Sequence, residues 1–235
     1  MVVSLFMGWR HICFANWSID PGLVEPHLPE RLTLDTWDGQ AWLSVVPFTN
    51  VDVRPRFFPS GTGVPLPELN LRTYVTYDGK PGVYFFSLDA DGIVGVVGAR
   101  LFHHLPYYYA NISLTEENGR IRFTSRRRHL GARPVAFEAT YGPSGGRIDA
   151  KSGTLAHFLT ERYRYYTEAS DRSVRYADIQ HESWPLYDAD VEIVENTLFE
   201  ANGFTTPDSD PVHLYSPGVE TIASKSKRVT TPRFL

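Results

Sequence analysis

Along most of this chain, hydrophobic and polar positions alternate in short runs broken by turn residues, and only one stretch settles into helical spacing. Residues 9–19 read as an aromatic strand that stops at Asp20-Pro21-Gly22, where Asp20 can cap a short helix ending before Pro29. Residues 32–37 and 40–48 flank Asp38-Gly39, and residues 68–77 and 83–89 flank a turn starting at Asp78-Gly79. Residues 112–114 and 120–126 flank Asn118-Gly119. Asp-Gly and Asn-Gly mark hairpins because both residues tolerate the positive φ that a two-residue turn needs. Residues 83–89 and 93–102 are almost continuously apolar, as expected of strands buried on both faces. Residues 135–141 and 190–195 are further strands. Residues 152–169 change period. Leu155, Phe158, Leu159, Arg162, Tyr163 and Tyr166 fall at helical spacing behind Ser152 or Thr154 as cap, which predicts one long helix. Residues 51–67, rich in Pro, Gly and Arg and without a period, predict a long surface loop and a candidate lid.

The expected fold class is a β-rich α+β one, an antiparallel β-barrel or double sheet with one long late helix. Residues 1–223 form a single domain in this reading. Residues 224–235 form a polar basic tail, expected to be mobile.

The strand at 68–77 carries the most chemistry. Glu68, Asn70, Arg72 and Tyr74 share one face, and Leu69, Leu71, Thr73 and Val75 share the other. A polar face between strongly apolar strands points into a cavity, where such groups can orient a small polar ligand. Arg100 closes a run with no other charge, so it needs a carboxylate from Glu68, from Asp89 or from a ligand. His103 and His104 are adjacent, so on a strand they face opposite ways, and no ligand-spaced His or Cys pattern occurs. No metal and no cofactor is expected. Arg126-Arg127-Arg128-His129 reads as a solvated strand end.

Composition narrows the classes. The 235 residues are 42% hydrophobic and 14% aromatic, enough for one core. A formal net charge of -4 does not suit a general nucleic-acid binder. One cysteine excludes an intrachain disulfide, and no apolar stretch reaches the length of a membrane span. The start lacks the marks of a signal peptide, so a soluble, cytoplasmic protein is expected, without membrane or nucleic-acid partners. A homo-oligomer is allowed by everything in the sequence. Only four lysines occur, Lys80, Lys151, Lys225 and Lys227, all in turns, loops or the tail. An imine-forming lysine needs a desolvated or cation-crowded setting, which none of these contexts offers.

Several segments together resemble the YqjF-like family, a domain of unknown function. They include Asp38-Gly-Gln-Ala-Trp-Leu-Ser-Val-Val-Pro-Phe48, Glu68-Leu-Asn-Leu-Arg-Thr-Tyr-Val75, Leu159-Thr-Glu-Arg-Tyr163 and His181-Glu-Ser-Trp-Pro-Leu186. Through the stretch from Ile19 to Asp35, and through Gly98-Ala-Arg-Leu followed by Pro106, the chain is more distantly similar to acetoacetate decarboxylase. That resemblance implies a β-barrel fold with a pocket glutamate at or near Glu68 and an arginine at Arg10. It also implies that Tyr107 and Tyr108 stand where the decarboxylase has two lysines, one of which forms the imine.

Three readings follow, in this order. The first is a binding protein for a small-molecule ligand, a carboxylate or oxo-acid-like compound. Arg10 and Arg100 would neutralise its acid group, and Glu68, Asn70 and Tyr107 would orient it, with Arg72 and His103 also in the ligand-binding set. The second is a non-covalent lyase, hydratase or isomerase. Glu68 would be its acid or base, partnered by Tyr107 or His103. The third is an interaction module presenting Tyr163, Tyr165 or Tyr166.

Overall fold

The computed structural model describes residues 4–92 and 104–229. The thirteen strands among the described residues belong to one sheet. They are β1 (Leu5–Ile19), β2 (Thr33–Leu34), β3 (Ala41–Pro55), β4 (Val64–Tyr77), β5 (Lys80–Ala90), β6 (Tyr107–Glu117) and β7 (Arg120–Arg127). β8 (Ala136–Ile148), β9 (Arg164–Glu168), β10 (Val174–Gln180), β11 (Leu186–Asn196), β12 (Val212–Ala223) and β13 (Lys227–Arg228) complete it.

The sheet closes twice. Strands β5-β6-β7-β8-β11-β12-β1-β3-β4 form a ring sealed by the β4–β5 pairing. Strands β5-β9-β10-β12-β1-β3-β4 form a second ring, sealed by the short pairing of Ile179 and Gln180 with Ala223 and Ile222. The two rings share β1, β3, β4, β5 and β12. Strand alternation therefore gives each shared strand one face in each ring. Cys13, Ala15, Leu43, Val45, Leu69 and Leu71 face the larger ring and meet Phe123, Phe137 and Tyr141 in a dry core. The alternate residues, among them Phe14, Phe48 and Glu68, face the smaller ring, which is hollow.

Two of the three predicted hairpins form at their dipeptides, whereas Asp38-Gly39 closes only the isolated Trp37–Gln40 bridge and β2 pairs with β4 instead of β3. Asn118 and Gly119 take φ of 53° and 74° between the paired Glu117 and Arg120, and Asp78 and Gly79 take 51° and 69° between Tyr77 and Lys80. Asp20 caps its helix by accepting from the Gly22 N–H at 2.7 Å.

Four expectations are corrected. The helix predicted over 152–169 is short, Leu155–Thr160, with Thr154 as its cap, and the chain then becomes β9. Arg164-Tyr-Tyr-Thr-Glu is aromatic and β-branched, and pairing with β10 and β5 outweighs its coincidental helical spacing. The long loop predicted over 51–67 is mostly strand, since β3 runs on to Pro55 and β4 begins at Val64. Asp52 hides this continuity. It sits at φ 52° in a bulge, where its carboxylate accepts from the N–H groups of Gly61 and Gly63. Arg127 is not a solvated strand end but a buried residue, forked onto Asp89 at 2.6 and 2.9 Å. The first part of the tail is held as β13 against β10, with Val229 buried. The strand predicted over 93–102 lies outside the described residues, as do Arg100 and His103. No helix among the described residues is long and apolar enough to cross a membrane.

Candidate functional site

The hollow of the smaller ring is a cavity of about 430 Å³. Aromatic and aliphatic side chains from β1, β3, β5, β9, β10 and β12 make most of its wall, and β4 contributes Glu68, Asn70 and Arg72. The polar face read from the alternation of β4 thus does line a cavity. Tyr74, one step further along the same face, is fully buried and donates its hydroxyl to the Leu159 carbonyl at 2.8 Å.

Glu68 is almost entirely shielded from solvent, 4% exposed, and no cation forms an ion pair with it among the described residues. Its Oε2 accepts the Tyr107 hydroxyl at 2.6 Å and, more weakly, the Asn50 amide at 3.4 Å. Its Oε1 accepts the Asn70 amide at 3.3 Å. Burial pushes the carboxyl up from 4.5 to about 7, against these three hydrogen bonds, which favour the ionised form. The carboxyl can therefore hold or release a proton near neutral pH. The Tyr107 hydroxyl is held well above its usual range, first by burial and then by Glu68, so it stays a donor.

Arg72 is different. Its Nη2 donates to the Leu159 carbonyl at 3.1 Å, and its guanidinium lies 5.3 Å from the Phe14 ring. No carboxylate among the described residues forms an ion pair with it. Two buried polar atoms of this strand, Nε of Arg72 and Oδ1 of Asn70, have no hydrogen-bond partner among the described residues. Such orphans are uncommon in native structures, because each forfeits its hydration without compensation.

Sequence reasoning missed other cavity residues. Arg162 and Arg164 touch the cavity, but each is committed, Arg162 to Asp35 at 2.6 Å and Arg164 to Asp178 at 2.8 Å. His181 stacks on Tyr163 at 4.7 Å and tilts against Trp184 at 4.7 Å, and Trp184 in turn stacks on Trp9 at 5.6 Å. The His181 Nδ1 lies 2.7 Å from the Glu182 carbonyl, which can only accept, so Nδ1 carries the proton. Burial lowers the His181 pKa, leaving a neutral ring with Nε2 as acceptor. The signal for this cluster was present in His181-Glu-Ser-Trp-Pro-Leu186, but nothing in the segment tied it to Arg72 or Glu68.

The other candidates separate. Arg10 stands outside the cavity, because Trp9 beside it points inward and neighbouring strand residues face opposite ways. Its guanidinium donates to the carbonyls of Trp9 and Val219 and pairs with Glu220. Tyr107 faces Glu68, whereas Tyr108 lies under the Arg127 guanidinium at 4.0 Å. All four lysines are exposed, and none lines the cavity.

A family model described as an uncharacterized conserved protein, DUF2071, matches residues 6–220. The chain belongs to the DUF2071 family. It is 44% identical over 209 residues to the uncharacterized protein YqjF of Bacillus subtilis, covering 88% of this chain and 85% of that one. Among solved structures, acetoacetate decarboxylase from Legionella pneumophila superposes with a TM-score of 0.65 at 15% identity, over 97% of this chain and 87% of the other. An acetoacetate decarboxylase-like enzyme from Sphingomonas wittichii RW1 gives 0.66 at 12% identity, over 98% and 94%. The enduracididine biosynthesis enzyme MppR complexed with pyruvate gives 0.63 at 12% identity, over 97% and 90%. The likeness to these enzymes is one of fold. The DUF2071 chain described here shares their strand-rich architecture.

Proposed function

We propose that this DUF2071 protein binds a small organic acid in the cavity of its smaller ring. The acid group sits on Arg72, and an oxygen function of the ligand sits among Glu68, Asn70 and Tyr107. One observation carries the reading: Arg72 reaches the cavity, and no carboxylate among the described residues forms an ion pair with it. A charge so placed costs stability unless something answers it, and a carboxylate matches its fork. The orphaned Arg72 Nε and Asn70 Oδ1 mark where ligand atoms complete the hydrogen bonding. The pyruvate complex of MppR supports the reading by showing that this fold can hold a small acid. With every lysine exposed, binding is non-covalent, and Glu68 supplies any proton that has to move.

The test is a thermal-shift screen in which carboxylic and oxo acids are each paired with their neutral amides. A ligand of the folded state raises the melting temperature by mass action. Acids are expected to raise it and their amides not to. Equal shifts for acid and amide, or no shift for any acid, would overturn the assignment.

A further inference from the structure

We infer that the acid is elongated and amphipathic, a carboxylate with an apolar body of medium length, rather than a short-chain oxo acid. The inference rests on the acid-binding reading above and specifies its ligand class.

The register sets the length of the site. Arg72 lies opposite Ser44, Glu68 opposite Phe48, Leu66 opposite Asn50, and Val64 opposite Val53. Between Arg72 and Leu66 the cavity wall therefore follows β4 for about 20 Å, at roughly 3.3 Å per residue. The charged groups occupy the Arg72 end and the middle. Beyond Glu68 the wall is made by Leu66, Val53, Pro55, Leu5, Met7 and Ala223, together with Asn50, whose amide is turned to the Leu66 carbonyl and to Glu68. The other two cavity arginines among the described residues do not supply a second acid site, since Arg162 is held by Asp35 and Arg164 is turned to Asp178 and Tyr176.

The volume agrees with the length. At roughly 30 Å³ for a water-sized group, a 430 Å³ cavity takes on the order of a dozen such groups, more than a pyruvate-sized acid fills. A short acid on Arg72 would leave the Leu66 end holding water against apolar walls. An alkyl or aryl body displaces that water, and each buried methylene tightens binding by about fourfold.

The test is titration calorimetry of pyruvate, butyrate, hexanoate, octanoate and decanoate into the wild-type chain and into Val53→Trp. Val53 is half-buried at the far end of the cavity, so an indole can enter there without displacing the polar groups. The dissociation constant of the wild type is expected to fall about fourfold per methylene from butyrate to octanoate. Val53→Trp is expected to lose roughly tenfold in octanoate affinity while keeping that for butyrate. The wild-type series decides the matter by itself if the variant does not fold. Butyrate or pyruvate binding as tightly as octanoate would overturn the elongated ligand and leave the acid site standing. No binding by any acid in the series would remove both.

Discussion

Glu68→Gln is expected to stabilise the protein at alkaline pH and to erase a fall in stability that the wild type shows between about pH 4.5 and 7. The folded chain holds the Glu68 carboxyl at about 7, and the ordinary value is 4.5. Between those two values the folded protein keeps a proton that the unfolded chain has already released. The unfolded state then binds fewer protons, so stability decreases as pH rises through this window. The contribution is fully present below about 4.5 and is lost once pH exceeds about 7. The gap corresponds to about 3 kcal/mol, the cost of ionising a carboxyl inside the cavity wall. Glutamine carries no such cost. Its oxygen can accept from Tyr107, and its amide can face the unpartnered Asn70 Oδ1 once the Asn70 amide turns over. Urea unfolding of both proteins across pH 4.5 to 8 reads the difference, which is expected to grow by about 3 kcal/mol toward the alkaline end. Tyr107→Phe removes a bond that favours the carboxylate, so it is expected to move the transition higher. Parallel curves for wild type and Glu68→Gln would mean that Glu68 is solvated and the cavity is not as described.

Arg72→Met is expected to weaken binding of acids strongly while leaving the unliganded protein at least as stable as the wild type. Methionine keeps the apolar stem against Phe14 and removes a cation that no carboxylate among the described residues pairs with. Removing one partner of a desolvated, hydrogen-bonded charge pair costs about 2 kcal/mol or more, so the dissociation constant for octanoate should rise roughly 30-fold or beyond. Melting temperature without ligand and calorimetry with octanoate check the two halves separately. Lower stability together with unchanged affinity would assign Arg72 to the scaffold, through its bond to the Leu159 carbonyl. Function and stability are thus expected to pull in opposite directions at Arg72, a pattern familiar where a site is kept ready for a ligand.

The part of this site legible in the sequence is the part carried by local period. Alternation along β4 placed Glu68, Asn70 and Arg72 together, and Asp78-Gly79 and Asn118-Gly119 placed two hairpins, because each depends on neighbouring residues alone, whereas Asp38-Gly39 did not pair the strands beside it because β2 joins β4. What could not be read depends on distant pairing. The closure of the smaller ring through Ile179 and Ala223 joins segments more than forty residues apart, and without it no cavity exists for β4 to face. Arg162 and Arg164 entered the site by the same closure. The helix over-extended to residue 169 failed because Tyr163 and Tyr166, three apart, fall on a helical period by coincidence, and pairing of Arg164–Glu168 with β10 and β5 overrides it. Arg127 looked like surface charge because its partner, Asp89, lies on another strand.

A crystal structure with an ω-bromo octanoate bound tests whether Arg72 holds a carboxylate inside the smaller ring. The carboxylate is expected within hydrogen-bond distance of the Arg72 guanidinium, and the anomalous bromine peak near Leu66 and Val53. A carboxylate seated elsewhere in the molecule, with the cavity between β4 and β12 holding only water, would contradict it.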